Sequence, residues 1–383
     1  MNPRERVRLA LNHQEPDRIP IDLGATIISS IAKTTYVQLK KQLGLPLEDS
    51  QMLDYVQQLP YVGEDLMQRF GVDFRMVQLP AATAAGVDIF EEGDYFAFYD
   101  RWGSKLHMPK EGGFYFDWVD FPLKAPTQAA LDHYQWPRPD SNETNARLGV
   151  QAKWLHEHTD YALIGSAVIG GGIFEQPARV MGLQNFMMAL LTAPQFADRL
   201  MEQITDIYIE SCNRYLDHVG KYIQVFTFWD DVTGQNGWLI KPELYRKMIK
   251  PKQKRLVEAI KKKTDAKLFF HCCGAARGLI PDLIDLGFDI LNPVQVSAKG
   301  MDTKELKAEF GKDITFWGGI DTQRVLPFAK PQDVIDEVKR RIDDLAPGGG
   351  FVFAAVHNIQ ALVPPENIVT MFDTALEYGK YSH

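Results

Sequence analysis

The sequence predicts an α/β protein of the TIM (β/α)8-barrel class, with an N-terminal helical extension and a β-hairpin insertion. Three observations predict it. Eight short apolar runs recur along the chain, amphipathic stretches of helical spacing separate most of them, and polar, chemically active residues gather where the runs end. Near-continuous apolar runs mark parallel strands buried on both faces, and strands joined by crossover helices close into a barrel. A doubly wound open sheet satisfies the same pattern and is the structural alternative.

The elements follow in order. MNPRERVRLALNHQEPDRIP, residues 1–20, is polar with a helical pattern and lacks the apolar core and small-residue cleavage site of a signal peptide. RIPIDLG (18–24), FRMVQLP (74–80), YALIGSA (161–167) and YIQVFTFWDD (222–231) are the first four expected strands. KLFFHCC (267–273), DILNPVQ (289–295), ITFWGGID (314–321) and FVFAAVHN (351–358) are the other four. TKELKAEFG, before the seventh run, and PQDVIDEVKRRIDDL, before the eighth, carry the apolar spacing of crossover helices. An aromatic, turn-rich stretch with EGG at its centre breaks the rhythm at about 95–123 and reads as a hairpin excursion that could cover the barrel mouth. No linker or repeat divides the chain, so residues 1–383 are expected to form a single domain.

Composition narrows the function classes. Hydrophobic residues make up 45% and charged residues 24%, enough for a sizeable core, and the formal net charge is -8. That balance argues against a nucleic-acid partner and against an anionic membrane surface, and no stretch is long and apolar enough to span a bilayer. Three cysteines and no secretion signal make a disulfide framework unexpected and a reducing, cytoplasmic setting the expected one.

Barrel enzymes carry their chemistry at the C-terminal ends of strands. Here those ends hold Asp230 and Asp231, then Gln235, then His271, Cys272 and Cys273, then Asp321, and finally His357 and Asn358. Strand alternation places His271 and Cys273 on one face and turns Cys272 to the other. An imidazole and a thiolate two residues apart can share one zinc ion, and His357 at the end of the eighth run is the best third ligand. The competing reading makes His271 a buried hydrogen-bonded histidine, Cys273 a core residue, and His357 a strand-end histidine on a loop carbonyl. Of Asp230 and Asp231, one is expected to face the cavity and the other to cap the turn, or both are solvated. The glycine tract in VIGGGIFEQ (168–176) allows close approach to a planar ligand or is a plain loop, with Glu175 as a possible proton carrier or extra ligand.

These segments resemble the uroporphyrinogen decarboxylase superfamily, which includes cobalamin-dependent methyltransferases. The resemblance rests on RERVRLALNHQEPDRIPI (4–21), DRWG (100–103), DDVTGQNGWLIKPELYRKMIKP (230–251), HCCG (271–274), GGID (318–321) and GGGFVFAAVHNIQALVPPENI (348–368). It implies the TIM-barrel fold. The decarboxylase branch holds a porphyrinogen with arginines soon after the first strand, whereas DLGATIISSIAKTTY (22–36) has none. The methyltransferase branch binds zinc through H-x-C and a distant cysteine. His271 and Cys273 match the first part, and His357 stands where the cysteine is expected.

The resemblance therefore implies a zinc-dependent methyltransferase of a corrinoid system. His271, Cys273 and His357 would hold Zn2+, while Asp230, Asp231 and Asp321 act on or orient substrate. Glu175, Gln235 and Asn358 would contact it. Cobalamin would arrive on a separate corrinoid protein, and a small molecule would give or accept the methyl group. A cofactor-independent decarboxylase of a porphyrinogen-like or other acid is the alternative, and a non-catalytic docking partner of a corrinoid protein the third. The oligomeric state is open, a homodimer included.

Overall fold

The computed structural model describes residues 1–47, 51–77, 87–167 and 169–381. Seven parallel strands form its central sheet: β1 (Phe74–Val77), β6 (Ala162–Gly165), β7 (Val225–Trp229), β8 (Lys267–His271), β9 (Ile290–Asn292), β10 (Thr315–Trp317) and β11 (Phe351–Val352). They are hydrogen-bonded in chain order and curl into a TIM-barrel-like fold. Four strands between β1 and β6 form a separate antiparallel sheet: β2 (Phe90–Glu92), β3 (Tyr95–Tyr99), β4 (Lys105–Pro109) and β5 (Asp117–Asp120). This sheet is the expected insertion, but it starts earlier than 95 and has two strands more than a hairpin.

The first expected strand departs from the pattern. Residues 18–24 form no ladder, and Ile21 makes only an isolated parallel bridge to Phe353. Backbone hydrogen bonds still tie this segment to both neighbours. Asp22 N–H donates to Phe353 O, and Asp73 N–H donates to Ile21 O, each at 2.9 Å. The extended segment therefore closes the gap between β11 and β1. Pro20 supplies no donor to a regular ladder, which is one reason none forms. The second expected run ends at residue 80, and its last three residues lie outside the described residues.

The N-terminal helix α1 (Pro3–Leu11) is capped by Asn2, whose side chain accepts from Glu5 N–H at 2.8 Å. It plugs the closed end of the barrel. Val7 and Leu11 pack in one buried cluster with Phe74, Ala162, Ile164, Val225, Phe269, Ile290, Trp317 and Val352, so that every strand contributes at least one side chain. Arg6 and Arg18 both reach the fully buried Asp73, at 2.6 Å and 2.8 Å. Two guanidinium groups offset the desolvation of that carboxylate. The larger cluster fills the layer between the sheet and the surrounding helices, including α3 (Pro194–Val219), α4 (Lys250–Lys261), α5 (Pro331–Leu345) and α6 (Pro365–Tyr378). Helix α2 (Glu175–Met181) follows β6 and forms part of the wall at the barrel mouth.

Candidate metal and ligand site

A cavity of about 880 Å³ opens at the C-terminal mouth of the barrel. Trp102, Phe116, Trp118, Tyr215 and Trp229 are among its lining side chains, together with His271 and His357. Phe116 and Trp118 come from the inserted sheet and its approach, so the insertion does reach over the mouth.

His271, Cys273 and His357 bring one ligand atom each to within 4.8 Å of one another. His271 is the last residue of β8, and Cys273 Sγ lies 3.4 Å from its Nε2. The two imidazoles meet edge to face with centroids 5.2 Å apart. Asn292, at the end of β9, takes His271 Nδ1 onto its Oδ1 at 2.6 Å, and its own Nδ2 donates to Trp317 O at 3.2 Å. With its amide so oriented, Asn292 fixes the proton on Nδ1 of His271 and leaves the Nε2 lone pair free. His357 is arranged differently. Its Nδ1 accepts Asn358 N–H at 2.8 Å, so the neutral ring carries its proton on Nε2. His357 must release that hydrogen bond before Nε2 can serve an ion.

Electrostatics at this cluster suit a cation. Burial lowers both histidines, His357 to about 3 with His271 adding to the effect, so both rings are neutral, as ligands must be. Burial, reinforced by Asp231, raises the Cys273 thiol well above its ordinary range. A thiolate at this position therefore needs a neighbouring positive charge. The donor set of two imidazoles and one thiol is of the type that holds zinc.

Cys272 is fully buried and packs in the layer between sheet and helices, with Sγ 3.3 Å from Thr233 Oγ1. Gly274 ends the motif for a steric reason. Its φ is +98°, and a Cβ there would lie 2.5 Å from Gly234 O. The short strand pair at 233–238 packs directly against it.

The two adjacent aspartates divide their work. Asp231 lines the cavity and accepts Cys273 N–H on Oδ1 at 2.7 Å; burial and the nearby Glu175 push its carboxyl up to about 8. Asp230 is fully buried and faces away from the cavity lining. It accepts Phe174 N–H and Glu175 N–H at 3.0 Å and Gln253 Nε2–H at 2.9 Å. A Cβ on Gly172 would overlap the Asp230 carboxyl, so that glycine admits the aspartate. Gly172 thus packs on the protein's own Asp230, while Gly170 of the same tract lines the cavity; Val168 lies outside the described residues.

The remaining expected site residues scatter. Glu175 lines the cavity and pairs with Arg179 at 3.1 Å. Asp321 accepts Gln323 N–H and Arg324 N–H in a turn, outside the lining. Gln235 is exposed at the tip of the 233–238 strand pair. Asn358 is buried as a staple, accepting Ser30 N–H and donating to Ile27 O and Gln57 Oε1. Asn292 and Arg179 were not singled out in the sequence. Asn292 ends an expected strand, which was the available signal; Arg179 sits four residues past Glu175 on α2, a spacing that shares one helix face.

Among the described residues, three arginines line the cavity, Arg101, Arg147 and Arg179, although none lies within residues 22–36. Six acidic residues line it as well, Asp54, Asp100, Asp117, Asp140, Glu175 and Asp231, of which Asp231 is largely protonated near neutral pH. The lining is acidic on balance.

The family model for uroporphyrinogen decarboxylase (URO-D) matches residues 103–378, and the chain belongs to that family, whose members are enzymes. The uroporphyrinogen decarboxylase of Geotalea uraniireducens is 27% identical over 191 residues, 48% of this chain and 50% of that protein. That of Geobacter sulfurreducens is 24% identical over 194 residues, 49% and 51% of the two chains. The matched region thus spans about half the length of these curated relatives. Among solved structures, a methyltransferase from Methanosarcina mazei superposes with a TM-score of 0.64 at 15% identity, covering 99% of both chains, and shares the fold.

Proposed function

We propose that the protein is a zinc-dependent methyltransferase of a corrinoid system, moving a methyl group between a small molecule and cobalamin carried on a separate protein. The observation that carries this reading is the convergence of His271, Cys273 and His357 within 4.8 Å at the mouth of the barrel. The solved methyltransferase of the same fold is consistent with it. When bound, zinc supplies Lewis acidity toward the thiol, ether oxygen or amine that gives or receives the methyl group. One thiolate and two imidazoles place a single negative charge on the ion, which leaves it more electrophilic than a two-thiolate set would.

The chain's own residues do the rest of the work. Asn292 holds His271 with its Nε2 lone pair presented. Asp231 fixes the Cys273 backbone through its N–H and, at the cavity wall, is the group placed to orient substrate or carry a proton. Tryptophan side chains at 102, 118 and 229 give the cavity wall flat apolar surface.

Membership of the URO-D family favours a second reading, a cofactor-independent decarboxylase. The acidic balance of the cavity speaks against a substrate with many carboxylates, because the lining arginines are outnumbered by carboxylates and two of them, Arg101 and Arg179, are already paired with Asp140 and Glu175. Incubating the purified protein with cob(I)alamin and a panel of methyl thioethers, methyl ethers and methylamines, with and without chelator, separates the readings. Chelator-sensitive methylcobalamin formation supports methyl transfer. Activity on a carboxylic acid that survives chelation supports decarboxylation.

A further inference from the structure

Two buried polar atoms in the cavity wall have no partner among the described residues: Ser166 Oγ and Gln176 Nε2. Ser166 is 9% exposed and Gln176 1% exposed, and both line the cavity. An unsatisfied buried donor costs about 1–3 kcal/mol, so native proteins rarely keep one without a use.

Their surroundings show that the atoms are held in place. Ser166 directly follows β6, at the strand end where barrels present ligand-binding groups. Gln176 Oε1 accepts Gly171 N–H at 2.8 Å, which fixes the amide and turns Nε2 away from the backbone. The loop beneath is stapled at three consecutive residues, Ile169, Gly170 and Gly171. Trp102 Nε1–H donates to Ile169 O at 2.5 Å, Trp229 Nε1–H to Gly170 O at 3.0 Å and Tyr208 O–H to Gly171 O at 2.6 Å. No slack remains for Gln176 to find a protein partner. Arg179, three residues further along α2, lines the same cavity with its guanidinium 4.6 Å over the Trp118 ring.

We propose that Ser166 and Gln176 form a recognition subsite for an sp2 oxygen of the substrate, a carboxylate or amide oxygen carried on a planar ligand. Both residues line the cavity and each holds a polar atom without a protein partner, and the tryptophans supply flat apolar faces for the rest of the molecule. Arg179 on the same helix face favours a ligand with one anionic oxygen, while the acidic balance of the lining excludes one with many. The inference rests on the reading above only in taking this cavity as the substrate site.

The test uses the full chain and ligand-observed NMR titration with benzamide and benzoate, with toluene as a control that lacks the acceptor. Two variants probe the donors. Ser166→Ala removes the hydroxyl; Gln176→Glu keeps the acceptor for Gly171 N–H and replaces the donor by an oxygen. Wild type is expected to bind benzamide and benzoate more tightly than toluene. Each variant is expected to weaken them about tenfold or more. Metal content is measured in parallel and is expected to stay at the wild-type level, so a failed zinc reading registers separately. Ser166→Ala is also expected to unfold at the same or a higher temperature than wild type, because it removes an orphan group; a merely structural serine would lower it. Wild-type affinity in both variants, equal binding of toluene, or no binding of either carbonyl ligand by wild type would each overturn the proposal.

Discussion

Replacing Asp230 tests how the barrel mouth is built. In Asp230→Ala three buried donors lose their acceptor: Phe174 N–H, Glu175 N–H and Gln253 Nε2–H. Each orphan costs about 1–3 kcal/mol, and water entering the space vacated by the carboxyl recovers part of it, so a loss of about 3–5 kcal/mol is expected. Asp230→Asn has a route around the damage. Its Oδ1 keeps both backbone donors. Its Nδ2 meets Gln253, whose amide can flip to present Oε1. Tyr245 O–H, which donates to Gln253 Oε1 at 2.7 Å, then turns to accept from the flipped Nε2. A cost of about 1 kcal/mol is expected for that rearrangement. Urea denaturation of the three proteins measures both differences. Because Asp230 faces away from the cavity, Asp230→Asn should also keep its ligand affinity. An asparagine variant as unstable as the alanine one, or an alanine variant within about 1 kcal/mol of wild type, would refute the assignment of Asp230 as a loop anchor.

Further outcomes follow from the same geometry. Cys272→Ala should retain metal and Cys273→Ala should lose most of it, as elemental analysis would show; the reverse result would mean that Cys272, packed between sheet and helices, is the ligand. Gly274→Ala should lower stability by about 2 kcal/mol or more, read by thermal unfolding, because its φ of +98° and the 2.5 Å approach to Gly234 O both oppose a side chain. Burial raises Asp22 from 3.8 to about 6, against hydrogen bonds from Ala25 N–H and Trp317 Nε1–H that lower it. A raised carboxylate favours the fold when protonated, so this contribution, about 3 kcal/mol, is fully present below about pH 4 and is lost as pH rises through 6. Asp22→Asn should flatten the change across that window in urea titrations at stepped pH. Uroporphyrinogen should not be decarboxylated at a useful rate, and accumulation of coproporphyrinogen with the pure protein would contradict the acidic-lining argument.

Much of this was legible in the sequence. Apolar runs revealed β6 to β11 because parallel strands buried on both faces admit few polar residues. The first run was legible as a position but not as a regular strand, since two isolated bridges and a few backbone bonds leave no periodic trace. The insertion was visible through its aromatics, while β2 begins in Phe90-Glu91-Glu92, an exposed strand that carries no apolar signal. Alternation singled out His271 and Cys273, and the end of the last run singled out His357. Which of Asp230 and Asp231 faces the cavity depends on the Gly172 approach and on Gln253 from α4, a distant helix, and no local pattern encodes either. Gln235, Asp321 and Asn358 sit near strand ends in sequence, yet loop geometry directs them to an exposed tip, a turn and a buried staple. Ser166 and Gln176 were silent because an unpaired hydrogen-bonding atom exists only once the fold has paired the rest.

Zinc K-edge X-ray absorption on the purified protein decides whether His271, Cys273 and His357 hold one metal ion. About one zinc per chain is expected, bound by one sulfur near 2.3 Å and two imidazole nitrogens near 2.0–2.1 Å. Chelation is expected to remove the ion while the barrel stays folded, because the core, not the metal, holds the strands together. Absence of zinc after reconstitution, or a zinc shell without sulfur that persists in Cys273→Ala, would contradict this three-residue site.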